Sequence, residues 1–415
     1  MNASFAFALA QSLTALFLVE PDAAVGLGLP PRFLRTLAQS PAGYRSGQVG
    51  FNAEVLLGDL LYHSPQVLGA RARELGLSCQ TCHPNGSTNP TLFIEGLSAA
   101  PGSIDLSTGF FVKQAENGRP DEINVPSLRG VRYTRPYGRD GRAESLAEFV
   151  DRVIVKEFGG SSLSPSRLRA LAAYLQELDF LPNRNLDGTG RLTERASPGQ
   201  RQGEDLFREP RAGLGGLGCA SCHVPSSYFC DGRIHRHATT RGASPYSMDD
   251  GIETPTLLNT SETAPYFHDG RFGRLADVVT WYNETFALGL TDAEAALLVE
   301  YLEAVGATDL TTDDRSFGQR LLETFAYLQL LIDGDEADSR DVWLMVLEQV
   351  AQELVGIEKI LPNASSVSES HRQLRELENQ CRREIPLSHL RPEVVRLHSA
   401  LNDYSAVWAG MIAVR

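Results

Sequence analysis

Cys79-Gln80-Thr81-Cys82-His83 and Cys219-Ala220-Ser221-Cys222-His223 are two copies of one pentapeptide, Cys-x-x-Cys-His. Two thiols three apart can form thioethers to the vinyl groups of one porphyrin, and the adjacent imidazole then falls under the iron as its proximal ligand; the motif is the attachment signature of a c-type haem. With six cysteines and nine histidines in 415 residues, one match by chance is expected roughly 0.002 times. A structural zinc site would want four Cys or His ligands grouped together, and a thioredoxin-like redox pair needs no trailing His. The reading is two covalently bound haem c groups, anchored by Cys79, Cys82, Cys219 and Cys222, with His83 and His223 on the irons. Cys230 and Cys381 are left over, either as two free thiols or as one disulfide.

Elements that could position these motifs are visible as an internal repeat. Upstream, Gly58-Asp59-Leu60-Leu61-Tyr62 answers to Gly203-Glu204-Asp205-Leu206-Phe207. Downstream, Val125-Pro126-Ser127-Leu128 answers to Thr254-Pro255-Thr256-Leu257, and Pro136-Tyr137-Gly138-Arg139-Asp140-Gly141-Arg142 to Pro265-Tyr266-Phe267-His268-Asp269-Gly270-Arg271. Each copy closes with a helix. Ser164 is an N-cap with Pro165 in the first helical position, and Thr291 with Glu294 forms a capping box. Leu168, Leu171 and Leu175, and likewise Leu298, Tyr301 and Leu302, recur at helical spacing.

The spacing therefore predicts a mainly α fold of two tandem cytochrome c-type domains, at 30–185 and 195–308, joined by a polar linker from Pro182 to Gln202. Residues 309–415 fall outside the repeat and read as a C-terminal helical bundle. There Leu321, Phe325, Leu328 and Ile332 trace one helical face and Trp343, Val346, Val350, Leu354 and Ile357 another, with two more helices expected at 368–382 and 392–412. His371, His389 and His398 in this segment are assigned no ligand role.

A formal charge of -14 argues against nucleic acid and anionic membrane surfaces as partners and leaves room for a basic redox protein. Residues 1–24 read as a weak signal peptide or anchor: Phe5 to Val19 is apolar, but Lys and Arg are missing before it. Thioether attachment takes place outside the bacterial cytoplasm, so the motifs themselves imply a periplasmic or otherwise exported protein.

The residues flanking the motifs closely resemble the bacterial dihaem cytochrome c peroxidase and MauG family. Gly-x-x-Leu-Tyr stands ahead of Ser-Cys-x-x-Cys-His; Asp-Gly-Arg-Ala-x-x-Leu marks the first repeat; Thr-Pro-Thr-Leu and Ala-Pro-Tyr-Phe-His-Asp-Gly-Arg mark the second. The resemblance covers 50–308. It implies two unlike haems, the His223 haem passing electrons to the His83 haem, which meets hydrogen peroxide. It also implies a calcium ion between the domains and an electron donor that is a small redox protein or quinol-linked, and leaves a homodimer open.

Seven residues beyond the leucine after Asp-Gly-Arg, the second repeat has Tyr282 and the first has Val153. The family has Met or Tyr at that second-domain position, so Tyr282 is the expected distal ligand of the His223 haem, with Met248 as the competing candidate. Between His83 and Arg142 there is no His or Met, which points to a first haem that is open or capped by something weaker, with His63 as the candidate substitute. Peroxide cleavage needs a nearby acid–base group. The family's Glu falls at Ala147, and Glu144 and Glu148 flank it as the available candidates. Arg142 and Arg271 would suit haem propionates, and Asp140 and Asp269 would cap the turns that follow. Tyr137 replaces the family's Gln, and the bridging Trp has no obvious counterpart. The alternative function is a dihaem electron-transfer protein without peroxidase activity.

Overall fold

The computed structural model describes residues 53–118, 122–235, 251–309, 317–333, 339–361 and 365–413. These form two compact units, one within 43–312 and the other holding, among the described residues, everything from 317 onward. The protein is mainly helical. Among the described residues the named strands are four of two residues each: β1 (Ser103–Ile104) with β2 (Ile123–Asn124), and β3 (Ile234–His235) with β4 (Ile252–Glu253), both pairs antiparallel.

In the first unit the helices are α1 (Ala53–His63), α2 (Ala70–Glu74), the single turn α3 (Cys79–Cys82), α4 (Leu146–Arg152), α5 (Pro165–Glu177), α6 (Pro198–Arg208), α7 (Leu275–Phe286) and α8 (Asp292–Gly306). The repeat is structural: α1 lies on α5 as α6 lies on α8. Both crossings are made by a glycine. A Cβ on Gly58 would stand 2.0 Å from the Ala170 carbonyl oxygen, and one on Gly203 would stand 2.1 Å from that of Leu297. No side chain fits there, because helix backbones this close leave no room for one. Tyr62, Leu171 and Leu175 close the first core, and Phe207, Phe229, Tyr301 and Val305 the second.

The predicted caps form: Ser164 accepts from the Arg167 amide, and Thr291 and Glu294 make a reciprocal box. Between each motif and its closing helix, Gly130 and Asn259 hold equivalent left-handed turns with φ of 71° and 57°. Asp269 caps the turn that follows it, its Oδ1 accepting from the Arg271 amide at 3.3 Å, and neither Asp140 nor Asp269 caps a helix. They hold Arg142 at 3.1 Å and the Arg271 Nε at 2.7 Å, and the cap of α4 is Ser145, which accepts from the Glu148 amide.

The polar stretch Pro182 to Gln202 is not a free tether either. Asn183 donates to the Ala304 and Val305 carbonyls, Leu192 is buried in the second core, and α6 begins at Pro198. Polar composition there reflects side chains that satisfy helix-end carbonyls. The two repeats meet through reciprocal bonds: the Asn124 amide donates to the His268 carbonyl at 2.8 Å, and the Glu253 amide to the Arg139 carbonyl at 2.9 Å.

The second unit contains α9 (Phe317–Asp333), α10 (Arg340–Ile360), α11 (Ser365–Arg382) and α12 (Leu387–Ala413). Trp343, Val346, Val350, Leu354 and Ile357 are all buried, as their spacing predicts. Helix α12 starts five residues ahead of its expected boundary and runs through Pro392. A buried Glu353 carboxylate is held by Arg320 at 3.1 Å and Gln349 at 3.0 Å.

Candidate functional site

Each Cys-x-x-Cys-His segment is a single tight turn. At the first, Ser78 and Thr81 cap each other across α3, and the His83 amide bonds the Cys79 carbonyl at 2.8 Å. The winding brings both thiols and the imidazole to one place. At the second, Cys219–Ser221 forms a 3₁₀ turn and the His223 amide bonds the Cys219 carbonyl at 3.0 Å. No disulfide joins any of the six cysteines, Cys230 and Cys381 included.

Both imidazoles are oriented from behind. His83 Nδ1 lies 2.8 Å from the Pro126 carbonyl, and His223 Nδ1 lies 3.2 Å from that of Phe229, with the Pro255 carbonyl a second acceptor. Pro126 and Pro255 are the repeated prolines. The carbonyl fixes the tautomer and leaves Nε2 as the ligand atom, the usual arrangement of a metal-binding His. Burial pushes His83 down to about 4 against the pull of that carbonyl, which keeps the imidazole neutral, the form that binds metal. Tyr62 donates to the His83 carbonyl, and Arg129 ties the following loop by bonding the Asn85 carbonyl at 2.7 Å and Ser87 at 3.2 Å.

The opposite sides differ between the repeats. Tyr282, on α7, is close enough to Cys219 and Cys222 for their thiols to add to the effect of burial, which carries the phenol to about 12. Its ring stacks on Phe286 at 5.7 Å, with Trp281 and Phe267 around it. In the first repeat α4 ends at Arg152 and the chain continues as a wider π turn, Val153–Glu157, closed by the Phe158 amide donating to the Val153 carbonyl five residues back. Val153, the counterpart of Tyr282 in the repeat, opens that π turn.

Other predicted residues fall as follows. Glu144 is 85% exposed beside Arg135, and Glu148 is exposed on α4; neither is brought inward. Arg142 is engaged by Asp140 and by Glu157 at 2.8 Å, and Arg271 by Asp269. His63 is turned back on its own helix, with Nδ1 3.0 Å from both the Asp59 carbonyl and carboxylate. Met248 lies outside the described residues. Sequence reasoning passed over Asp231 and His235, 2.7 Å apart, whose ligand atoms lie with the Cys222 sulfur within 4.8 Å of one another. It also passed over Asn124, whose Nδ2 faces the Pro265 carbonyl at 2.6 Å and the Phe267 carbonyl at 3.3 Å while its Oδ1 is buried and unpartnered.

Paired Cys-x-x-Cys-His turns with carbonyl-held imidazoles, each beneath a glycine-mediated helix crossing, define a c-type cytochrome. Residues 199–299 match the family model described as di-haem cytochrome c peroxidase. The chain is 28% identical over 253 residues to hydrazine synthase subunit gamma of Kuenenia stuttgartiensis, covering 48% of this chain and 69% of that protein. It is 30% identical over 162 residues to the methylamine utilization protein MauG of Methylophilus methylotrophus, covering 36% of this chain and 44% of the other. Among solved structures, Kuenenia stuttgartiensis hydrazine synthase aligns over 66% of this chain and 92% of its own, with 22% identity and a TM-score of 0.44. The chain is thus similar to the dihaem cytochrome c peroxidase/MauG family, with the family model matching the segment that holds its second motif, and that family binds haem c.

Proposed function

We propose that this is an exported dihaem oxidoreductase in which the His223 haem receives electrons and passes them to the His83 haem, where hydrogen peroxide is reduced. The observation that carries it is the inequality at one repeat position, Tyr282 against Val153, with Tyr282 beside the Cys219 and Cys222 thiols. Haem c supplies the redox chemistry when bound. The four motif cysteines would hold it by thioethers, His83 and His223 would bind from the proximal side, and Tyr282 would close the second site. A closed site transfers electrons, while an open one admits a small oxidant.

The donor is a small redox protein or a quinol-linked carrier, and the acidic chain favours a basic one. Residues 1–24 act as export signal or anchor. Calcium fits at the junction of the repeats. Turning the Asn124 amide over would place its orphaned Oδ1 beside the Pro265 and Phe267 carbonyls, a set of hard oxygens suited to that cation.

Electron paramagnetic resonance of the oxidised protein, with haem counted by absorbance, tests this reading. One high-spin and one low-spin haem with peroxide consumption is the expected result. Two low-spin haems in every redox state and no reaction with peroxide would leave the electron-transfer protein, a reading that Ala147 and the surface positions of Glu144 and Glu148 favour.

A further inference from the structure

We propose that Tyr133 and Tyr228 form a site of oxidative cross-linking, where two one-electron oxidations join the rings by a carbon–carbon bond and weld the first repeat to the second. In taking hydrogen peroxide as the oxidant, the inference rests on the reading above.

The two rings come from opposite repeats and lie face to face, with centroids 4.1 Å apart and planes 17° from parallel. That is closer than the roughly 4.5–7 Å at which aromatic pairs usually sit. Each ring is held from its own side. Tyr133 ends the turn that opens at the left-handed Gly130, and its hydroxyl oxygen accepts from Arg132 at 2.5 Å. Arg132 also lies 4.6 Å over that ring, but it is paired with Asp179 at 2.6 Å, so its charge does not stand alone against loss of an electron. Tyr228 is itself left-handed, with φ of 57°, a conformation that a bulky residue keeps only where its surroundings hold it. Its carbonyl accepts from the Thr256 hydroxyl at 2.7 Å, and the next residue, Phe229, gives the carbonyl that orients His223. Phe180 stacks beside both rings, 6.0 Å from Tyr133 and 5.9 Å from Tyr228, and carries no phenol that could couple in their place.

Stacking is the approach that coupling needs. A phenol that gives up an electron and its proton becomes a phenoxyl radical, with the unpaired electron partly on the ring carbons beside the oxygen, in orbitals perpendicular to the ring. Face-to-face rings aim those orbitals across the gap. Tyr62 and Tyr174 provide the contrast: their rings are 5.0 Å apart and tilted by 52°, and both are buried away from solvent that could take their protons, whereas Tyr228 is 41% exposed.

The step balances. Each tyrosine loses one electron and its phenol proton, and a bond forms between one carbon of each ring. The hydrogens of those two carbons leave as protons, while each oxygen takes one proton back. The net release of two electrons and two protons converts one hydrogen peroxide into two waters.

The test treats the full-length haem-loaded protein with hydrogen peroxide in the absence of an electron donor. A second arm uses photoactivated ruthenium tris(bipyridyl) with persulfate, a one-electron oxidant of phenols that needs no haem. Tyr133→Phe, Tyr228→Phe and Tyr174→Phe, each of which keeps its ring, are run beside the wild type. Expected in both arms, at monomer mass in denaturing electrophoresis, is a tryptic peptide holding Tyr133 joined to one holding Tyr228, lighter than their sum by two hydrogens. Dityrosine fluorescence and a raised melting temperature should accompany it, because the link constrains the unfolded chain. Tyr133→Phe and Tyr228→Phe should lose the link and the melting shift completely, and Tyr174→Phe should keep both. Peroxide consumption without this link, or no link in either arm, would overturn the proposal. A link in the photochemical arm from a wild type that consumes no peroxide would leave the coupling site standing and remove the peroxidase reading.

Discussion

Tyr282 and Val153 occupy the same place in two copies of one pattern, so the second repeat offers a phenol oxygen where the first offers no ligand atom. Tyr282→Phe removes that oxygen and keeps the ring that stacks on Phe286. The expected outcome is a changed absorption and paramagnetic signal for the second haem alone; two unchanged haems would remove Tyr282 from the ligand set. Tyr62 has a different task, since its hydroxyl braces the His83 carbonyl. Tyr62→Phe should lower stability by about 1 kcal/mol in urea denaturation without altering haem content. Glu253 is a buried carboxyl raised from 4.5 to about 8 by burial and by Asp231. The folded state therefore binds this proton more tightly than the unfolded one, and the resulting stability, full below 4.5, is lost as pH rises through about 8. Glu253→Gln should flatten that fall, and its melting temperature should exceed that of the wild type at pH 9 but not at pH 4.

At the scale of elements, what could be read from the chain was whatever repeats or caps. The Ser164 and Thr291 caps and the buried face of α10 follow from spacing and side-chain type alone. The π turn does not. Residues 146–157 have the same length as their counterparts in α7 and share their apolar positions as far as Val150, and the wider path that follows is marked by the Phe158 to Val153 hydrogen bond. That Glu157 ends buried against Arg142 while Glu144 and Glu148 stay exposed was therefore invisible. The Pro182 to Gln202 stretch was misleading for a related reason, because composition cannot distinguish an asparagine facing water from one bonded to a helix end. The glycine crossings were visible as letters but not as contacts. Gly58→Ala and Gly203→Ala should each destabilise by about 1–3 kcal/mol through separation of the helix pair, measured by denaturant titration of each variant.

For the whole molecule, the repeats are joined by more than their connecting chain. If the junction holds calcium through Asn124, chelation should lower the melting temperature of the wild type, and Asn124→Ala should abolish the chelator's effect; a wild type indifferent to chelator would exclude the ion. Independently of any ion, the Asn124 amide reaches the His268 carbonyl while Glu253, the counterpart of Asn124, reaches Arg139, the counterpart of His268. Each half gives the other what it takes. Such mutual exchange of one patch is the mark of a twofold homodimer interface. The first unit thus carries, within a single chain, the kind of contact by which two identical copies would pair, between halves that differ in sequence where Tyr282 stands against Val153.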